Sequence, residues 1–232
     1  QIAINSLMII SVVFALYGIY YFIIGALGLR KVKQAPAAKP KTRFVLVCAA
    51  RNEEQVIGHL LDSIAAQNYP KELFDVYVAP NNCTDDTKGV ALDHGAHIFE
   101  PAGEIRVKGQ VLTQFMDKIM EEGQYDAVCT FDADNLVHPD CLQKMNDAFQ
   151  NGTQVAQGYR DSKNPMDSPM TVCYAVYYWI VNRFFNGGRE VAGLSSLLTG
   201  SGFMVSVELL RRLGGWHTAT MTEDSEFTPH CM

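Results

Sequence analysis

The chain has 232 residues, enough for one ordinary domain and an appendage. Apolar residues make up 48% of it and charged residues only 19%, which excludes an intrinsically disordered chain. Charge is distributed unevenly. Residues 2–29 contain no charged side chain, and residues 30–43 contain six basic ones. The remainder has a formal charge of −12. Because a nucleic-acid-binding domain needs a basic surface, this acidic remainder excludes DNA or RNA as a partner.

The first 29 residues predict a transmembrane helix. About 20 apolar residues in a helix cross a bilayer core, and residues 2–29 exceed that length. A signal peptide would carry its positive charge before a shorter apolar stretch, and a buried helix of a soluble domain is the other alternative. Since basic residues follow the helix here, we expect an inner (plasma) membrane protein whose chain is cytoplasmic from Arg30 onward. Residues 30–43 are then a basic juxtamembrane linker along anionic lipid headgroups.

From Phe44 onward, segments typical of strands alternate with segments typical of helices. Strands are predicted over 44–50, 74–79, 96–99 and 127–131, and helices over 55–67, 85–94 and 108–122. This alternation predicts an α/β domain, with a mostly parallel sheet between helices and ligands bound at the carboxyl ends of the strands. Residues 170–185 are aromatic-rich and too short to span a bilayer. They are predicted as a core helix in preference to a helix at the membrane surface.

Polar residues that could bind a ligand or take part in catalysis follow several of these elements. Asp132 and Asp134 come directly after a predicted strand and offer hard oxygen ligands to Mg²⁺ or Mn²⁺. The alternative is that they only end the strand and cap the next helix. Glu223 and Asp224 form a second acidic pair, which could supply a general base or simply begin a helix. Lys108 begins a predicted helix and could meet either a phosphate or solvent.

The order of the motifs resembles that of the family-2 glycosyltransferases with the GT-A fold. The similarity is strongest to membrane-bound synthases of the cellulose, chitin and hyaluronan type. The similar segments are Ala50-Arg51-Asn52-Glu53, Asn81-Asn82-Cys83-Thr84-Asp85-Asp86-Thr87, Lys108-Gly109, Phe131-Asp132-Ala133-Asp134-Asn135, Thr199-Gly200-Ser201-Gly202-Phe203 and Thr222-Glu223-Asp224. The family carries an Asp where Asn81 stands. Its processive members continue into a QxxRW motif, which does not occur before Met232, so we expect residues 44–232 to be a truncated cytoplasmic GT-A domain.

The resemblance implies an inverting transferase that moves a sugar from a UDP-sugar to a saccharide acceptor, in processive synthesis of an extracellular or capsular polysaccharide. A polyprenyl-phosphate or glycolipid glycosyltransferase is the alternative, and a non-catalytic nucleotide-sugar sensor in the membrane is a third interpretation. Expected partners are the donor, a saccharide or lipid-linked acceptor, membrane lipid, and further copies of the chain or secretion components.

The resemblance also implies roles for individual residues. Asp224 is the expected catalytic base, and Asp132 and Asp134 are the expected ligands of Mg²⁺ or Mn²⁺. The expected donor-binding residues are Ala50, Asn52, Glu53, Asn81, Asn82, Asp85, Lys108, Asp132 and Ala133. The expected acceptor-binding residues are Gly200, Ser201, Gly202, Trp216 and Glu223. For Trp216 the alternative is a place in the core, but its position before the second acidic pair favours stacking on a sugar.

Overall fold

The computed structural model describes residues 2–218 and 223–231. The described residues form one six-stranded sheet, in the order β3-β2-β1-β4-β6-β5. The strands are β1 (Phe44–Ala50), β2 (Phe74–Pro80), β3 (His97–Ile98), β4 (Ala127–Asp132), β5 (Val155–Gln157) and β6 (Phe203–Ser206). The first four strands pair in parallel, and β6 runs antiparallel to both β4 and β5. This mixed, mostly parallel sheet confirms the predicted α/β class.

Helices connect and flank these strands. They are α1 (Ile2–Leu27), α2 (Ile57–Ala65), α3 (Thr87–Asp93), α4 (Lys108–Glu122), α5 (Cys141–Gln150), α6 (Pro169–Ile180), α7 (Gly187–Val191), α8 (Val207–Leu213) and α9 (Glu223–Phe227). A π-helical segment (Val181–Asn186) joins α6 to α7, and short 3₁₀ turns cover Lys71–Leu73 and Thr228–Cys231. The helix predicted over 108–122 is confirmed at both ends. Helices α2 and α3 begin two residues later than predicted and end two residues and one residue earlier, respectively.

The central strand β1 is apolar throughout because both faces of the sheet are covered. Leu46 and Cys48 belong to a core cluster shared with α2, and Val45 and Val47 belong to a second cluster shared with α4. Helix α2 contributes four buried side chains, at the three- and four-residue spacing of a single helix face: Ile57, Leu60, Leu61 and Ile64. A strand buried on both sides gives a continuous hydrophobic run without alternation, as the sequence shows here.

The chain divides into two compact units. One, here called the helical unit, consists of residues 1–34 and 159–196, and the other, the sheet unit, consists of residues 35–158 and 197–232. Residues 159–196, predicted as part of the 44–232 domain, thus group with the N-terminal helix. Among the described residues, Ile4–Leu27 form the one helix long and apolar enough to cross a membrane, with a mean hydropathy of 2.4.

Residues 35–43 belong to the sheet unit and are fixed to α5. The Oδ1 atom of Asn146 accepts hydrogen bonds from the backbone N–H of Thr42 at 3.2 Å and from its hydroxyl at 2.9 Å. Asp147 Oδ1 accepts from the N–H of Ala38 at 3.0 Å, and Asn146 Nδ2 donates to the carbonyl of Lys39 at 3.1 Å. The basic linker was expected to lie along lipid headgroups. Residues 35–43 of it are instead hydrogen-bonded to α5.

The predicted core helix over residues 170–185 corresponds to α6 and the π-helical segment, but α6 is not in a core. None of its described residues is buried, and most of its large side chains, including Tyr177 and Trp179, are exposed. The core prediction is therefore wrong. Apolar composition shows that a helix avoids water, but it does not distinguish whether protein or lipid surrounds it.

Candidate functional site

The predicted donor residues after β1 and β2 lie at the carboxyl ends of two adjacent parallel strands. The N–H of Asn81 donates to the carbonyl of Ala50 at 2.9 Å, so the two loops begin side by side. Further along, the backbone N–H of Thr84 donates to Asn52 Oδ1 at 2.8 Å. Asn52 and Asn82 have φ values of 58° and 51°, in the left-handed region that Asn tolerates better than most residues. The two loops therefore form one connected rim.

Carboxylates gather on this rim. Burial raises the pKa of Glu53, and the negative charges of Asp134, Asp85 and Asp132 raise that pKa further. The hydroxyl of Thr87 donates to Asp85 Oδ1 at 2.6 Å, and this hydrogen bond lowers the pKa of Asp85. The structure thus brings the acids of the first two loops and the two acids after β4 into one electrostatic neighbourhood.

Lys108, the first residue of α4, places a cation beside these acids. Its Nζ lies 2.6 Å from Asp132 Oδ1 and donates to the carbonyl of Gly200 at 3.0 Å. The two charged side chains are partly buried, at 24% exposed for Lys108 and 38% for Asp132. Partial burial strengthens their attraction relative to water. The contact places a positive charge where an anionic ligand could approach the carboxylates.

The turn that follows β4 is organised by Asn135 and Ser201. Asn135 Nδ2 donates to Asp134 Oδ1 at 3.1 Å, and Asn135 Oδ1 accepts from the buried hydroxyl of Ser201. The N–H of Asp132 donates to Ser201 Oγ at 2.9 Å. Sequence reasoning assigned Asn135 no role of its own, and its position next to Asp134 was the one available signal. The predicted acceptor residue Ser201 thus holds the turn that carries both aspartates, while Ala133 between them is buried.

Gln157 shapes the predicted acceptor loop from the neighbouring strand β5. Its Oε1 accepts from the N–H of Thr199 at 2.8 Å, and its Nε2 donates to the carbonyl of Ser201 at 2.9 Å. The N–H of Gly202 donates to the carbonyl of Thr130 at 2.8 Å and joins the loop to β4. Gln157 belongs to no motif, so sequence reasoning had no signal for it.

Asp224 is held against the same loop. Its Oδ2 accepts from the N–H of Gly200, whose own carbonyl accepts from Lys108. The hydroxyl of Thr228 donates to the carbonyl of Asp224 at 2.8 Å, and its oxygen accepts from the N–H of Leu198 at 3.2 Å. Gly200 therefore connects the predicted base on one side to the lysine beside Asp132 on the other.

Trp216 belongs to the core, not to a binding surface. It is 0% exposed, and its ring stacks on Phe227 at a centroid distance of 3.9 Å and on Phe203 at 5.7 Å. No surface of the indole is left for a sugar, so the prediction of a stacking platform is wrong. Thr222 and the side chain of Glu223, the remaining parts of the second acidic motif, lie outside the described residues.

Asp132 and Asp134 form a partial donor set for a divalent cation. In the part of the chain that the structure describes, no three His, Cys, Asp or Glu side chains converge on a metal position. Mg²⁺ takes roughly six oxygen ligands and commonly completes its shell with substrate phosphate and water. Two carboxylates on one turn therefore fit an ion shared with a phosphorylated ligand, and they do not fit a structural metal held by protein alone.

Comparison with known proteins connects this site to an enzyme family. A family model described as "Glycosyltransferase like family 2" matches residues 40–232. The beta-monoglucosyldiacylglycerol synthase of Synechocystis sp. is 26% identical over 200 residues, which are 82% of this chain and 40% of that protein. The chain thus spans about two fifths of the length of this relative.

Solved structures share the fold. The mannosyltransferase PcManGT of Pyrobaculum calidifontis, in complex with GDP-Man and Mn²⁺, has a TM-score of 0.70 and 22% identity to this chain. The matched region covers 93% of this chain and 60% of PcManGT. TarS 1–349 of S. aureus, in complex with UDP-GlcNAc, has a TM-score of 0.52 and 16% identity. The matched region covers 81% of this chain and 52% of the TarS chain. At these identities the likeness concerns the fold alone, and it confirms the predicted GT-A architecture.

Proposed function

Because the chain belongs to glycosyltransferase family 2, we propose that it transfers a sugar, with inversion, from a UDP-sugar to the hydroxyl of a lipid acceptor. In this proposal α1 anchors the chain in the inner membrane and the sheet unit is cytoplasmic. The long apolar helix and the basic residues that follow it support this placement.

The observation that carries the proposal is the pair of contacts made by Gly200, to Lys108 and to Asp224. Inverting transfer needs a base at the attacking hydroxyl and positive charge at the departing diphosphate, on opposite sides of the anomeric carbon. The N–H of Gly200 orients the Asp224 carboxylate, and the carbonyl of Gly200 holds Lys108 next to Asp132. One loop residue thus fixes the groups proposed for both ends of the reaction.

The chemical step follows from these roles. Asp224 would take the proton of the acceptor hydroxyl. At the same time the acceptor oxygen would bond to the anomeric carbon, and the bond from that carbon to the diphosphate would break. Lys108 would remain near the leaving diphosphate and offset part of its negative charge. When bound by Asp132 and Asp134, Mg²⁺ or Mn²⁺ would supply Lewis-acid stabilisation of that charge. The Mn²⁺ in the PcManGT complex supports a divalent ion.

The connected rim formed by the loops after β1 and β2 is proposed to bind the nucleoside. Asn52 and Asn82 give it a fixed backbone shape, and Glu53 and Asp85 supply acceptors for ribose hydroxyls. UDP is the proposed carrier because TarS was solved in complex with UDP-GlcNAc, although PcManGT was solved in complex with GDP-Man. Binding to both nucleotides therefore has to be compared directly.

A lipid alcohol is proposed as the acceptor because the Synechocystis relative is named for a diacylglycerol glycolipid. This relationship favours glycolipid synthesis over the processive polysaccharide synthesis that the motifs also suggest. A chain anchored by α1 would also meet such an acceptor at the membrane surface.

The test is release of UDP by the full chain in vesicles that contain diacylglycerol, supplied with UDP-glucose and Mn²⁺. We expect release that depends on diacylglycerol, together with a lipid-bound glucose product. Release that needs an oligosaccharide instead would overturn the lipid acceptor. Nucleotide-sugar binding without any turnover would favour a sensor.

Two variants separate the proposed roles. Asp224→Asn should bind UDP as tightly as the unaltered chain and lose transfer, whereas Asp132→Asn should weaken UDP binding in Mn²⁺ as well. Asp62→Asn, an exposed position on α2, serves as the matched control with normal activity. Full turnover by Asp224→Asn would refute its role as the base.

A further inference from the structure

The outer surface of α6 is apolar, aromatic and exposed. No Asp, Glu, Lys or Arg occurs between residues 168 and 182. The side chains that we call the α6 face are 43–65% exposed, and they are Met170, Val172, Tyr174, Val176, Tyr177, Trp179 and Ile180. A contiguous apolar patch of this kind marks a surface covered by something other than water.

Within the helical unit, the segment after α6 packs closely on the end of α1. A Cβ atom at Gly188 would overlap the carbonyl oxygen of Ile24, and one at Gly28 would lie 2.7 Å from the carbonyl oxygen of Arg183. The guanidinium of Arg183 also donates to the carbonyl of Leu29 at 3.2 Å. These contacts are at the basic end of the candidate span. If α1 crosses a bilayer, they place α7 and the π-helical segment at headgroup level.

The charge of the helical unit complements an anionic lipid surface. This unit has seven Lys and Arg against three Asp and Glu, a formal charge of +4, whereas the sheet unit carries −10. Two of its guanidinium groups lie over aromatic rings, Arg160 at 5.0 Å from Tyr178 and Arg189 at 5.5 Å from Phe185. Cations interleaved with Tyr, Trp and Phe are typical of segments that lie in the membrane interface.

We propose that α6 lies in the boundary between headgroups and acyl chains of the bilayer that α1 crosses, with the α6 face toward the acyl chains. The proposal rests on the membrane attachment included in the proposed function. A phospholipid bilayer that contains anionic lipid is proposed to cover the α6 face. The reasons are the apolar character of that face, the positive charge of the helical unit and the packing of this unit's later segment on the end of α1. In chain order, α6 and α7 directly precede the proposed acceptor loop.

The two tryptophans of the chain make the proposal measurable. Trp179 is 52% exposed on the α6 face, whereas Trp216 is 0% exposed in the sheet unit. The full chain is reconstituted into phosphatidylcholine–phosphatidylglycerol vesicles with plain or brominated acyl chains, and its tryptophan emission is recorded. Bromine quenches only indoles that it contacts, so we expect lower emission in the brominated vesicles. Trp179→Phe should lose this difference, because Trp216 is shielded.

A charged variant tests whether the apolar face is responsible. Val176→Glu, on the α6 face, should reduce the quenching of Trp179. The matched control Leu92→Glu changes a side chain that is 53% exposed on α3 and should leave the quenching unchanged.

Other results would overturn the proposal. Equal emission in plain and brominated vesicles, from a chain that floats with the vesicles, would refute lipid contact by α6 and leave the proposed function intact. Cross-linking between Cys173 residues of two copies, in place of quenching, would show that a second copy covers the face. A chain that does not float with the vesicles would refute the membrane attachment itself, and α6 insertion with it.

Discussion

Replacement of Asn146 by Ala should remove the anchor between the N-terminal linker and α5. Asn146 is 0% exposed. Its Oδ1 accepts from the N–H of Thr42 at 3.2 Å, from the Thr42 hydroxyl at 2.9 Å and from the Tyr69 hydroxyl at 3.1 Å. Tyr69 keeps a second partner in the carbonyl of Thr42, at 2.8 Å. The alanine variant therefore leaves the two donors of the buried Thr42 without their acceptor.

The expected loss follows from those two groups. A buried donor left unsatisfied costs about 1–3 kcal/mol, so the loss of both acceptor contacts should lower the free energy of unfolding by about 2–6 kcal/mol. For a chain of this size, such a loss lowers the melting temperature by roughly 10 °C.

Thermal unfolding of the full chain in detergent micelles, followed by circular dichroism, measures the effect. The control is Asn151→Ala, at an exposed position whose Nδ2 donates to the carbonyl of Pro36 at 3.0 Å. Water can replace that contact, so the control should lose no more than about 1 kcal/mol. Equal melting temperatures for the two variants would refute the reasoning that the linker is held through buried donors.

Three other predictions concern packing, thiol chemistry and donor binding. Gly188→Ala should increase proteolysis of the helical unit because its methyl group would meet a backbone carbonyl of α1, whereas Gly18→Ala, with nothing within 4 Å, should not. Maleimide at pH 7.5 should leave Cys141 unlabelled, as seen by mass spectrometry of its peptide. Burial raises the pKa of Cys141 to about 11, so its thiolate forms only as the pH approaches that value, and rapid labelling at pH 9 would contradict this. Lys108→Met should raise the KM for the nucleotide sugar about tenfold or more, since hydrogen bonds to charged groups contribute about 1.5–3 kcal/mol; an unchanged KM in the UDP-release assay would count against a role in donor binding.

Much of the sheet unit could be predicted because its strands are simple apolar runs. The predicted strand 44–50 has the bounds of β1, and the predicted helix 108–122 has those of α4. Both are buried along whole faces, so hydrophobic pattern and final structure agree. β5 and β6 were not predicted, because three or four residues are too few to show a period.

The candidate site was predictable only where residues form a motif. Asp132, Asp134 and Asp224 stood out as members of acidic pairs. Asn135 and Gln157 instead act through side-chain hydrogen bonds to residues 199–201, which are distant in the sequence. Such contacts depend on which strands become neighbours, and local sequence patterns do not reveal that pairing. The wrong prediction for Trp216 has the same origin, since Phe203 and Phe227 reach it from distant parts of the chain.

The π-helical segment between α6 and α7 changes the rotational phase of the helix that contains it. Each residue added to a helical turn rotates everything downstream by about 100° around the axis. Residues 181–186 therefore allow the α6 face and the glycines of α7 to point in directions that one uninterrupted α-helix would not provide. Deleting a single residue there would restore the ordinary period and turn either the aromatic side or the glycine side away from its surroundings. The length of this segment is thus under tighter constraint than the identity of most of its side chains.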